Sequence, residues 1–243
     1  MKTFKKNFVE YYALSKSKKE YGSDVDQIVD LIKNKKYKSI LDIGCGVGTH
    51  AYLLSKKGYY VEGFDISKDI INYAKHTYPK MNFFVADASK FKLHKKFDVV
   101  IAKDSVLSFL TKKGQFEKSL KSIDKHINIK GMFIFDVAFT EELVGKDFYD
   151  QFNERRKTKN YSWLKQTEIK REGNFIIANI KVDGAFRDKK FQSQEKHIHR
   201  ILKEKVIVNL LNSLGYDVKT KGNYVNNGWH NLEVIAIKKN HSY

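Results

Sequence analysis

One cysteine and one proline in 243 residues are the scarcest features of this chain. With Cys45 alone, no internal disulfide can form and no cysteine-based metal cluster can assemble. Long apolar runs are missing too. The VVIA and FIFDVAF stretches break off within a few positions, far short of the roughly 20 apolar residues that cross a bilayer. The opening segment, MKTFKKNFVEYYALSKSKKEY, carries scattered lysines and lacks the continuous apolar stretch and small-residue cleavage site of an export signal. A cytoplasmic protein with no membrane association is expected. Low-complexity tracts and internal repeats are also lacking, so the length suits a single α/β core carrying a modest insertion.

Negative charge is in short supply: 46 Lys and Arg face 28 Asp and Glu, a net charge of +18. An excess of that size raises nucleic-acid binding as a function. The cations are nearly all lysine, however, and lie along the whole chain, whereas phosphate recognition clusters them and favours the bidentate arginine fork. A solvated lysine-rich surface accounts for the charge, and specific nucleic-acid binding is not expected.

Strand and helix patterns alternate from residue 24 to residue 138, which predicts a parallel sheet wrapped by helices. Ser23 is the expected N-cap of a helix bearing Val25, Ile28, Val29, Leu31 and Ile32 at helical spacing. Strands are expected at Ser39–Ile43, Tyr60–Asp65, Asn82–Ala86, Phe97–Ala102 and Met132–Val137. Between residues 160 and 201 the pattern changes to three alternating runs, YSWLKQTEIK, FIIANIKVDG and FQSQEKHIHRIL, separated by turn signals at Arg171-Glu172-Gly173 and Asp183-Gly184. Such alternation suits an antiparallel sheet with one wet face. A helix over Lys203–Leu214 and strands at Tyr216–Lys219 and Glu233–Lys238 then complete the main fold.

Chemistry concentrates in Ile40-Leu41-Asp42-Ile43-Gly44-Cys45-Gly46-Val47-Gly48-Thr49. Three glycines at alternate positions, after a strand and before a helix, let the backbone turn tightly and bring its amides against a ligand. The dinucleotide fingerprint needs a further glycine where Thr49 stands. Asp65 closes the next strand at the offset where an acidic side chain meets ribose hydroxyls, and Asp87 in FFVADAS sits where a carboxylate accepts from an adenine amino group. All three positions fall at the carboxyl edge of adjacent strands, where open α/β sheets bind ligands.

These segments resemble the class I S-adenosylmethionine-dependent methyltransferases. LDIGCGVG is similar to their motif I, VEGFDIS to motif II, FFVADASKF to motif III and FDVVIAKDSVLSFL to motif IV, with KGMFIFDV as the fifth strand. YYALSKSKKEY, DSVLSFL and an insert ending in His197-x-x-Arg200 resemble the small-molecule subgroup, which includes sugar-amine N-methyltransferases and glycine N-methyltransferase-like enzymes. The resemblance implies a Rossmann-like, seven-stranded, mostly parallel sheet flanked by helices. Residues 1–138 and 202–243 would bind S-adenosylmethionine and release S-adenosylhomocysteine, and the antiparallel insert 139–201 would cover the acceptor pocket. It puts Asp42, Gly44 and Gly46 around the methionine, Asp65 and Ile66 at the ribose, and Asp87 and Ala88 at the adenine. Lys103 would make a backbone contact at the sulfonium end, with Tyr12 and Tyr21 as lid contacts.

Methyl transfer from a sulfonium rests on alignment and desolvation, so a dedicated base is optional for an amine acceptor. Some sugar-amine enzymes of the family have a histidine after motif IV, whereas Phe109 stands near that place here. Asp104 and Ser105 remain as groups to orient an amine. His197 and His199 share one face of a strand, and His197 is the candidate base or acceptor ligand. Two strand histidines without a suitably spaced carboxylate make an incomplete ligand set, so no metal is expected. Trp163 and Trp229 are candidate walls of an acceptor pocket.

The expected activity is transfer of a methyl group to N or O of a small polar acceptor, such as an amino sugar or amino acid, by a monomer or homodimer. Two alternatives stay open. An RNA methyltransferase fits the charge, but the Asn-Pro-Pro-Tyr type of motif is replaced by Ala102-Lys103-Asp104-Ser105. A non-catalytic cofactor-binding protein would keep the same glycines and carboxylates.

Overall fold

The computed structural model describes residues 6–15, 18–186, 189–226 and 229–240. Along the chain come α1 (Lys6–Ser15), α2 (Lys18–Ile32), β1 (Ser39–Ile43), α3 (Thr49–Lys56), β2 (Tyr60–Asp65), α4 (Lys68–Thr77), β3 (Asn82–Val85) and β4 (Phe97–Ala102). A 3-10 turn at Val106–Phe109, α5 (Gln115–Asp124) and β5 (Ile127–Ala138) follow. Next are β6 (Tyr149–Lys157), β7 (Tyr161–Glu172), β8 (Phe175–Phe186) and β9 (Lys189–Arg200), and then α6 (Glu204–Ser213), β10 (Tyr216–Asn226) and β11 (Trp229–Lys238).

The main sheet has seven strands in the order β10-β11-β5-β4-β1-β2-β3. Its five strands β3 to β5 across β1 pair in parallel, and β11 joins β5 antiparallel. Because helices cover both faces, the middle strands are continuous apolar runs: Ile40, Leu41 and Ile43 of β1 and Val99 to Ala102 of β4 are wholly buried. Two apolar layers result, one around Phe64, Phe97, Phe133 and Phe135, the other around Ile28, Ile32, Ile40 and Leu54. The chain order reverses between β1 and β4, opening a crevice at the strands' carboxyl ends.

The second sheet is antiparallel in the order β6-β7-β8-β9. Its inner face packs through Ile169, Ile176 and Ala178 onto Phe139 and Val144, and through Val182 and Trp163 onto Tyr11 of α1. The Rossmann-like sheet with an antiparallel insert is therefore the expected fold. Four details differ. α2 starts at Lys18 and runs through Ser23 instead of being capped by it, and α1 precedes it. β5 starts at Ile127, ahead of the expected Met132, because its first turn pairs with Phe97 despite polar side chains. A fourth strand, β6, extends the insert. Its sequence YDQFNERRK has a single apolar inward residue, Phe152, so the period-2 signal is lost among charges. The last two strands are longer than expected, with an irregularity between Lys221 and Tyr224. Among the described residues no helix is long and apolar enough to cross a membrane.

Candidate active site

The turn after β1 is built on positive backbone φ: +65° at Gly44, +54° at Gly46 and +83° at Gly48. Side chains would also collide there. A Cβ on Gly44 would come within 2.5 Å of Val106, and one on Gly46 within 3.1 Å of the Tyr12 ring. Tyr12 therefore lies directly across the turn, and only glycine leaves a path between them.

Asp65, at the end of β2 and 8% exposed, braces this turn. Its Oδ2 accepts from the Gly46 amide at 3.3 Å and its Oδ1 from the Ser67 amide at 2.9 Å. Burial raises its carboxyl above the usual range, while these amides pull it back. Ser67 in turn caps α4, its Oγ accepting from the Ile70 amide at 3.4 Å. At the next strand end, Asp87 accepts from the Ser89 amide at 2.9 Å and hydroxyl at 2.7 Å. Each carboxylate is thus oriented by a residue two positions on, and Asp65 also by the Gly46 amide of the turn.

Beyond β4, Asp104 and Ser105 both hold left-handed backbone, φ 59° and 58°, a strained pair for residues with side chains. The strain is held by Asp136, whose Oδ2 accepts from the Ser105 amide at 3.2 Å and hydroxyl at 3.3 Å. Ser105 Oγ also accepts from the Ala138 amide at 2.8 Å, so its hydroxyl is committed to structure. Asp104 and Ser105, the two groups expected to orient an amine, both line the cavity wall.

One cavity of about 890 Å³ joins these elements to the second sheet. Tyr12, Tyr21, Gly44, Gly46, Asp65, Ile66, Asp87, Ala88, Asp104 and His197 all line it. Asp42 and Lys103 are not among its walls. Asp42 lies beneath the turn, where burial pushes its carboxyl up to about 7. The Lys103 ammonium points to Glu233 at 3.4 Å. Trp163 lines the cavity as expected of an acceptor wall, whereas the Trp229 side chain lies outside the described residues.

Two histidines reach this cavity from β9. Phe109, on the turn after β4, lies 5.6 Å from the His197 ring and 4.3 Å from the His199 ring. The position near which the family's histidine was missing from the chain is thus approached by imidazoles from the opposite sheet. Burial, with Lys165 adding to it, holds His197 down to about 4, and burial with His197 beside it holds His199 down to about 3. Both rings are neutral at pH 7.

The N-terminal helices add Tyr11, Tyr12 and Tyr21 to the wall. Tyr21 packs edge-on against His50 at 4.9 Å, and His50 Nε2 meets Asp24 Oδ2 at 3.2 Å, pinning α2 to α3 just after the glycine turn. Burial, reinforced by neighbouring tyrosine and carboxylate groups, raises the Tyr12 and Tyr21 hydroxyls, so both stay protonated as donors. Arg156 of β6 bonds the Leu14 carbonyl at 3.5 Å and Glu20 at 3.2 Å, and Tyr11 meets Trp163 edge-on at 5.3 Å.

Tyr11, Glu154, Arg156, Lys165 and Glu195, all on the wall, were missed by sequence reasoning. Glu195 and Lys165 had a signal, since they share the period-2 faces of His197 and Trp163. Glu154 and Arg156 depend on the pairing of β6 with β7, and Tyr11 on the packing of α1 against Trp163.

Comparison with known proteins gives the same picture. Residues 40–131 match the family model described as a methyltransferase domain. The chain is 23% identical over 168 residues to the dTDP-3-amino-3,4,6-trideoxy-alpha-D-glucopyranose N,N-dimethyltransferase of Streptomyces venezuelae, covering 66% of this chain and 71% of the relative. Its fold matches that of DesVI from Streptomyces venezuelae with a TM-score of 0.81 at 18% identity, over 94% of this chain and 96% of DesVI. It also matches CalS10, an amino pentose methyltransferase of Micromonospora echinaspora solved with S-adenosylmethionine bound, at TM-score 0.77 and 15% identity over 98% and 99%. Residues 40–131 match a methyltransferase domain, and over nearly its whole length the chain has the fold of these two solved methyltransferases.

Proposed function

We propose that the chain methylates the amino nitrogen of an amino sugar, taken up in the half of the cavity roofed by residues 139–201. The observation that carries this is the single cavity running from the carboxylates at the ends of β2 and β3 to a roof of mixed character. Ala178 and Ile180 of the roof are apolar, suited to a sugar's ring hydrogens, while Glu154, Lys165 and Glu195 beside them suit its polar substituents. The relatives named for amino-sugar methylation favour the same acceptor class.

The residues present fit S-adenosylmethionine: the path over Gly46 has no Cβ to block it, and Asp65 is a buried carboxylate with lone pairs for two vicinal hydroxyls. In this reading Gly44 and Gly46 hold the methionine, Asp65 and Ile66 the ribose, and Asp87 and Ala88 the adenine. The Tyr12 and Tyr21 hydroxyls donate at the methionine end. When bound, the cofactor supplies a methyl group already activated on sulfur. The protein then has to align the acceptor and keep water out. Neutral His197 is too weak a base at about 4 to strip an ammonium ion, so it serves as a hydrogen-bond partner that orients the amine, with Asp104 across the cavity. An amine arriving in its neutral form needs no further base.

The test is incubation with methyl-labelled S-adenosylmethionine and a panel of nucleotide-linked amino sugars, their hydroxyl counterparts, free amino acids and RNA. Label on an amino sugar nitrogen is expected. Label on RNA alone, or binding of the cofactor with no transfer to any acceptor, would overturn the proposal.

A further inference from the structure

The insert gives six charged side chains to the cavity wall: Glu154, Arg155, Arg156, Lys165, Glu195 and Lys196. Arg155 and Lys196 are exposed to solvent. Among the other four, Lys165 Nζ lies 3.2 Å from both oxygens of Glu154, and Arg156 lies 3.2 Å from Glu20. The two cations are therefore answered by carboxylates already in the molecule. Glu195 differs: its Oε1 is buried and has no hydrogen-bond partner among the described residues.

A buried carboxylate oxygen with no donor is costly, and such groups persist where a ligand completes them. Glu195 stands two residues from His197 on the same face of β9, about 7 Å further along the strand. His197 is the ring beside Phe109, so Glu195 lies past the histidines, opposite Ile180 of β8, which packs with Tyr11 and Trp163.

We infer that Glu195 is the residue that selects an amine over a hydroxyl acceptor, its unpartnered oxygen receiving an N–H of the acceptor's amino group. The inference rests on the amino-sugar reading and names the side chain that enforces it. Two physical reasons favour nitrogen. On binding, an ammonium pairs its full charge with the buried carboxylate, which a hydroxyl cannot do, and it gives up one proton to solvent before transfer so that the nitrogen lone pair is free. In addition, the nitrogen that forms the new N–C bond acquires positive charge as the C–S bond breaks and its electron pair stays on sulfur. A carboxylate fixed beside that nitrogen stabilises the charge where it develops.

The experiment is calorimetric, on the intact protein saturated with S-adenosylhomocysteine. The probes are dTDP-3-amino-3,4,6-trideoxy-glucose and its twin carrying a 3-hydroxyl in place of the amine. The wild type is expected to bind the amine at least 10-fold more tightly. Glu195→Gln should lose that preference while keeping its affinity for the hydroxyl twin and for S-adenosylhomocysteine. Glu195→Asp should restore part of the preference, which a purely structural role would not do. A preference retained in Glu195→Gln overturns the inference, and so does a wild type that binds both twins alike. If neither twin binds while S-adenosylhomocysteine does, the acceptor class fails and the inference with it, with the methyltransferase assignment untouched. Label transfer to the amine by a wild type that shows no preference separates the two: the proposed function stands and the role of Glu195 falls.

Discussion

The two carboxylates at the strand ends and three polar groups of the roof are met in different ways. On the Rossmann side, Asp65 accepts from the Ser67 amide two residues on and from the Gly46 amide of the glycine turn, and Asp87 from the Ser89 amide. On the roof, Trp163 Nε1, Glu195 Oε1 and His199 Nδ1 are buried without hydrogen-bond partners among the described residues. The difference teaches what each half is for. A cofactor that does not change can be met by groups oriented in advance by their own backbone. An acceptor is met by side chains on separate strands whose bonds are completed only on binding.

The sharpest way to break this comparison is Asp65→Ala, which removes both the brace on Gly46 and the carboxylate of the cofactor half. Affinity for S-adenosylhomocysteine is expected to fall on the order of 100-fold, about 2.7 kcal/mol, by calorimetry. Unchanged affinity would mean that the turn is not held for that ligand.

A second test uses acid. His197 and His199 bind protons in the unfolded chain near 6.5 but in the folded protein only near 4 and 3. The unfolded state therefore holds more protons as pH drops below about 6.5, and stability is lost, by about 1.4 kcal/mol per pH unit for each ring. Asp42 works the other way: with its carboxyl at about 7 when folded, it keeps a proton that the unfolded chain gives up, and so adds stability as pH falls from 7 towards 4. One histidine's slope is thus offset. Asp42→Asn should roughly double the loss per pH unit between pH 6 and pH 5, measured by urea unfolding. Parallel slopes in mutant and wild type would show that the cofactor half does not buffer the roof.

The smallest effect is expected from Arg156→Ala, which unties the roof from the N-terminal segment at Leu14 and Glu20. Both partners are partly exposed, so about 1 kcal/mol is expected, seen as a several-fold rise in KM for acceptor and cofactor together with kcat little changed. A fall in kcat alone would place Arg156 on the reacting groups instead of on closure.

The strands of the Rossmann core and the glycine turn were legible in advance because their causes are local. Apolar runs fit a sheet buried on both faces, and a left-handed backbone at 44, 46 and 48 tolerates little besides glycine. Strand β6 was not legible, since Phe152 is its one inward apolar residue and its pairing with β7 outweighs its own preferences. His197 was found by alternation, but its low proton affinity comes from the burial it meets in the cavity.

By itself, then, the order of residues determined the strands of the Rossmann core, the turn and the positions of the carboxylates at 65 and 87, because apolar runs and the need for glycine at left-handed backbone are local. Only the tertiary structure decided that two histidines meet Phe109, that Arg156 ties the roof to the N-terminal helices, and that Glu195 keeps an oxygen without a partner. Those facts depend on which strand lies beside which, and strand registry is set by the burial of whole faces, a property that no short stretch of sequence carries.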